Sequence, residues 1–153
     1  MEFLESIEQL GAVRLLKTSF LAYPIVNALH IAAIGMLLTS VVLLDLAVLG
    51  IIRSLPRKEF VALFRRVALI AFAVAVLTGV TLFSVKASDY VEMPVFLLKL
   101  GLIAIAAINF LVFSTLEERR RTDDPSLGLR LSTVLSIALW GGVLLCGRFI
   151  GFL

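Results

Sequence analysis

The chain has 153 residues, 61% hydrophobic and only 16% charged, with a formal net charge of +3. Ordinary soluble domains carry about 25% charged residues, and the basic residues here sit at the ends of apolar stretches, so nucleic acid is excluded as a partner in favour of a bilayer. The single cysteine, Cys146, excludes an internal disulfide, and the length suits one domain.

Residues 1–20 come first. The opening MEFLESIEQL carries Glu2, Glu5 and Glu8 where a cleavable signal needs positive charge, so no such signal is expected. Phe3, Leu4, Ile7, Leu10 and Leu15 recur at helical spacing with polar residues between them. This pattern predicts an amphipathic helix lying on the membrane surface and ending near Tyr23-Pro24.

Residues 21–153 hold four apolar stretches, at about 25–52, 67–85, 95–116 and 131–152. A hydrocarbon core about 30 Å thick is crossed by about 20 apolar residues in a helix. Unpaired backbone amides are not tolerated in lipid, so each stretch is expected to be helical. The connections are short, so neighbouring helices should run antiparallel. The fold class is therefore all-α: an integral membrane antiparallel four-helix bundle with an N-terminal interfacial helix. Pro94 is placed to start the third span. Asp124-Pro125 reads as an N-cap and first-turn proline before the fourth. Gly79, Gly101, Ala104, Ala107 and Gly141-Gly142 are the small residues at which helix backbones would approach in lipid.

Orientation follows from charge. Arg53, Arg57, Lys58, Arg65 and Arg66 flank the first connection, and Arg119, Arg120, Arg121 and Arg130 the third. Arg14, Lys17, Lys86, Lys99 and Arg148 fall on the opposite side. Positive residues collect at the cytoplasmic face. Both termini are therefore expected outside, in the periplasm of a bacterium whose inner membrane holds the chain.

Ionisable groups within hydrocarbon are costly and usually functional. In the first span, with His30 at zero and 100° per residue, Tyr23 falls at about 20° and Asn27 and Asp45 at about 60°. The four share one face, expected to point inward and, with Lys99 and Asn109 of the third span, to form a ligand or cofactor site. Asp45 could reach Arg65 or Arg66 near the inner surface. Lys99 of the third span and Cys146 of the fourth fall about 8–9 Å deep from the outer side, as does His30. These three are expected to form one layer, with Met93 and Arg148 slightly above it. His30, Met93 and Cys146 are the available soft-metal or haem-iron ligands. The plainer readings are a hydrogen-bonded core histidine, a packing cysteine and a lysine reaching the interface. Asn109 is expected to bond across helices, and Thr78 and Thr81 to their own helix backbone. No Ser/His/Asp arrangement, phosphate loop or zinc spacing is present, which argues against an enzyme.

The segments Leu21-Ala22-Tyr23-Pro24, Leu29-His30, Ser40, Asp45-Leu46 and Leu49-Gly50 resemble an uncharacterised family of small bacterial four-helix integral membrane proteins. Leu77-Thr78-Gly79, Leu82-Phe83, Phe96, Lys99-Leu100 and Asn109 continue the resemblance. More distantly, the first and third spans are similar to the membrane domain of copper-resistance D-type proteins, which implies a core like that of b-type cytochrome anchors. Many members carry a second histidine near the position of Phe113-Ser114, and this chain has none there. The expected function is a non-enzymatic membrane subunit or small-ligand-binding protein, with the polar face of the first span as its site. The alternatives are electron transfer through haem b or a quinone at His30, and copper handling. A homo-oligomer or a larger membrane complex is the expected assembly.

Overall fold

In the computed structural model, residues 8–52, 56–118 and 125–152 are described. They form six helices: α1 (Gly11–Thr18), α2 (Ala22–Val48), α3 (Arg57–Phe83), α4 (Ala87–Glu92), α5 (Pro94–Glu118) and α6 (Leu127–Ile150). There is no strand among the described residues. Helices α2, α3, α5 and α6 are each long and apolar enough to cross a membrane.

The helix boundaries correct the expectations in several places. The surface segment does not run to Pro24. It ends at Thr18, and α2 opens at Ala22, whose N–H donates to Ser19 Oγ at 3.1 Å. Pro24 sits in the first turn, where a missing N–H costs nothing. The first span stops at Val48 rather than 52, followed by Gly50 in the left-handed region at φ 77°. The second span begins ten residues before 67, at Arg57 just after Pro56, so part of the basic connection is helical. The acidic segment before Pro94 is also helical, as α4. The cap of α6 is Ser126, whose Oγ accepts from the Leu129 N–H at 3.2 Å. Asp124 lies outside the described residues, as do residues 1–7, Arg53 and Arg119, Arg120 and Arg121.

Helix α2 packs along α3 and against α6, and α5 packs along α6. Helices α3 and α5 do not pack along each other. The four long helices therefore form an open U in the order α3, α2, α6, α5. One core cluster joins Leu37, Val41, Ala68, Ala71, Ala106, Leu139, Trp140 and Val143, and draws on all four helices. A second joins Leu44, Ala47, Val48, Val61, Phe113 and Leu129. In α2 every buried residue lies at or beyond Ala33, so the half of α2 that carries Tyr23 and Asn27 is the loosely packed half.

Small residues act where a neighbour reaches the backbone. A Cβ at Gly142 would lie 3.2 Å from Leu102, and one at Gly79 would lie 3.0 Å from His30. Gly101 and Gly141, expected at interfaces, meet nothing within 4 Å, and Ala104 is exposed. Ala106 takes the buried position in α5 instead. Helix α1 is tied to α4 by Glu8, whose carboxylate accepts from the Ser88 N–H at 3.0 Å and from Lys17 Nζ at 3.1 Å. The Ser88 amide and then Lys17 hold the Glu8 carboxyl below the usual carboxylate range. A depressed folded pKa contributes stability at neutral pH that is lost as pH falls through the folded value. Spin labels at Arg14→Cys and Asp89→Cys, in a Cys146→Ser background, are expected to give a narrow distance distribution at neutral pH. Acid, or Glu8→Ala at neutral pH, should broaden it; an unchanged distribution would show that Glu8 does not hold this contact.

Candidate functional site

Two polar clusters lie within the long helices. The first surrounds His30. Its Nδ1 is 2.9 Å from Thr78 Oγ1, and its ring lies on the bare backbone at Gly79. Thr78 Oγ1 donates to the Val74 carbonyl at 2.7 Å, and Thr81 Oγ1 to the Leu77 carbonyl at 2.8 Å, as expected of threonines in apolar helices. Since the Thr78 hydroxyl proton is directed to a backbone carbonyl, its oxygen is free to accept from a protonated Nδ1. Lys99 is close enough to interact electrostatically with both His30 and Cys146. Its Nζ lies 3.6 Å from the position a Cβ would take at Gly147. The expected layer of His30, Lys99 and Cys146 is thus brought together. Lys99 is half-buried, with its amine against α6 at Gly147.

That layer is poorly suited to a cation. An ammonium beside both an imidazole and a thiol repels a metal ion placed between them. Among the described residues no three His, Cys, Asp or Glu side chains are grouped to hold a metal. Met93 sits at the junction of α4 and α5, its N–H bonded to the Tyr90 carbonyl.

Tyr23 and Asn27, expected to face inward with His30 and Asp45, are exposed. Tyr23 instead neighbours Tyr90 of α4, whose phenol is pushed up by burial first and then by Tyr23 and Asp89. Tyr90 stacks with Phe83 and Phe96 at 6.3 and 5.4 Å between centroids, forming an aromatic collar at that end. The 100° arithmetic gives directions about the α2 axis; it could not show that, of Tyr23, Asn27 and His30, only His30 meets a neighbouring long helix, at Thr78 and Gly79 of α3.

The second cluster is centred on Asp45, which is 1% exposed. The Ser136 hydroxyl of α6 donates to its carboxyl. Oδ2 has no hydrogen-bond partner. The interaction is therefore with a serine, where an arginine of the basic connection was expected. Nearby, Asn109 bonds across α5 and α6 twice: Nδ2 donates to the Ser132 carbonyl and Oδ1 accepts from Ser132 Oγ, both at 2.9 Å. This agrees with expectation and leaves Asn109 satisfied within the protein.

Asp45 is among the residues that line a cavity of about 250 Å³ between the arms of the U. Its wall includes Leu37, Val41 and Leu44 of α2, Phe72 of α3, Phe110 and Phe113 of α5 and Trp140 of α6. Phe72 meets Trp140 edge-on, with centroids 6.3 Å apart. Leu69 of α3 and Leu111 of α5 also line the cavity and are themselves exposed, 48% and 64%. They mark a mouth between the two helices that do not pack together. The arrangement is an apolar, aromatic chamber with one incompletely bonded carboxyl among its lining residues and a lateral opening. Ser136 and the aromatic wall carried no joint signal in the sequence, because their residues come from three different spans and only packing brings them together.

No family model, curated protein or solved structure matches the chain.

Proposed function

We propose that this is a multi-pass membrane protein that binds a small apolar molecule in the chamber beside Asp45, without catalysing a reaction on it. The observation that carries the reading is a cavity walled by apolar and aromatic side chains, with the buried and incompletely bonded carboxyl of Asp45 among its lining residues. A binding pocket is characteristically concave and apolar, with a few placed polar groups. An ionisable group kept inside apolar helices is a functional marker by default.

The setting is an antiparallel four-helix bundle in a bacterial inner membrane, with both termini on the periplasmic side. The uneven distribution of lysine and arginine supports that orientation. Helix α1 rests at the outer interface: it buries Val13 and Leu16 and exposes Arg14, Leu15 and Lys17, with Phe20 exposed just beyond it. The large exposed leucines and isoleucines of α3 and α5 face lipid, and the mouth between Leu69 and Leu111 gives access from the bilayer rather than from water. The family resemblance supports the four-helix setting and supplies no activity.

Trp140, the sole tryptophan, lines the cavity and serves as reporter. With protein in detergent micelles, 3-bromotoluene is expected to quench its emission saturably. Ala106→Phe, which fills the chamber, should remove the saturable component. Quenching that stays linear with probe concentration and is the same in both proteins would overturn the reading.

A further inference from the structure

We infer that the ligand of this chamber is a lipophilic amine, bound as its ammonium ion to Asp45 with its apolar body against the aromatic wall. The inference rests on the ligand-binding reading above and adds the chemical class.

Ser136 bonds to the carboxyl, Oδ2 is buried without a hydrogen-bond partner, and Asp45 lines the cavity, so that a turn of the carboxyl about its Cβ–Cγ bond would bring the unpartnered oxygen to face it. None of the cavity's wall residues is a lysine, arginine or histidine, so the described protein supplies no countercharge there. A buried charge is tolerated when it is paired and hydrogen-bonded. An ammonium N–H at Oδ2 would provide both at once, as a charge-assisted hydrogen bond. Phe72, Phe110, Phe113 and Trp140 line the cavity, and the face of an aromatic ring attracts a cation in a desolvated site. A proton alone would neutralise the carboxylate but would fill none of the cavity.

Size sets the second limit. An apolar cavity of about 150 Å³ accepts benzene. The chamber here, about 250 Å³, has room for a ring with a short aminoalkyl arm. The mouth at Leu69 and Leu111 faces the lipid phase, where an amine of this kind partitions in its neutral form. The neutral amine would take the carboxyl's own proton, so that ammonium and carboxylate form together without moving a full charge through hydrocarbon.

The test uses quenching of Trp140 by three matched probes: 3-bromobenzylamine, 3-bromobenzyl alcohol and 3-bromotoluene, compared at equal micelle-bound concentration. The amine is expected to bind roughly tenfold or more tightly than either neutral probe, as a charge-assisted bond implies. Asp45→Asn should remove that advantage while 3-bromotoluene still binds, which also shows that the variant is folded. The alcohol binding as tightly as the amine, or the amine keeping its advantage in Asp45→Asn, would overturn the amine assignment and leave the ligand-binding reading standing. Saturable quenching by none of the three would sink both.

Discussion

Asp45→Leu is expected to make the protein more stable while abolishing amine binding. The native carboxyl is almost wholly buried, with one oxygen bonded to Ser136 and the other to nothing. A buried polar atom left unsatisfied costs about 1–3 kcal/mol. Replacing an uncompensated buried ionisable group by an apolar one is often stabilising. The extra carbons of leucine can enter the adjacent chamber, so overpacking does not cancel the gain. Ser136 can turn its hydroxyl to a carbonyl one turn back along α6. Reversible unfolding in mixed micelles should therefore show a gain of about 1–3 kcal/mol. A loss of stability would mean that the carboxyl is paired in the membrane and that its role is structural. A site retained against the stability of its own fold is the pattern expected of function.

Gly79→Leu is expected to act in the opposite direction, by about 1–3 kcal/mol. A Cβ at this position would already lie 3.0 Å from His30 Cε1, with Nδ1 at 3.7 Å and Nε2 at 3.8 Å. Alanine would require the imidazole to give by a few tenths of an ångström and would strain the 2.9 Å contact with Thr78. Its helix propensity gain over glycine, about 1 kcal/mol, offsets much of that cost, so Gly79→Ala should be near neutral. Leucine brings further atoms into the space of the ring itself. It would push α2 and α3 apart where they pack along each other. The same micelle unfolding measurement, run as a double-mutant cycle with His30→Ala, separates this clash from a general intolerance of leucine. Removing the ring should restore most of the loss, since Thr78 keeps its bonds to the Val74 and Ala75 carbonyls. If the double variant is as unstable as Gly79→Leu alone, the imidazole is not what limits the residue at this position.

Much of this molecule could be read from its residues alone. The four long helices follow from apolar runs of the length that spans hydrocarbon. Thr78, Thr81 and Asn109 bond as such side chains must where water is scarce. The depth estimate that grouped His30, Lys99 and Cys146 needed only a rise per residue and a common end. Tertiary structure alone decided what lies opposite each side chain. It left Tyr23 and Asn27 exposed, gave Asp45 a serine in place of an arginine, and kept α3 and α5 apart to form the chamber. Periodicity fixes a side chain's direction about its own helix axis and its height along it. Whether another helix stands there is set by packing between surfaces, where a bare glycine at 79 or a serine at 136 counts for as much as a whole apolar run.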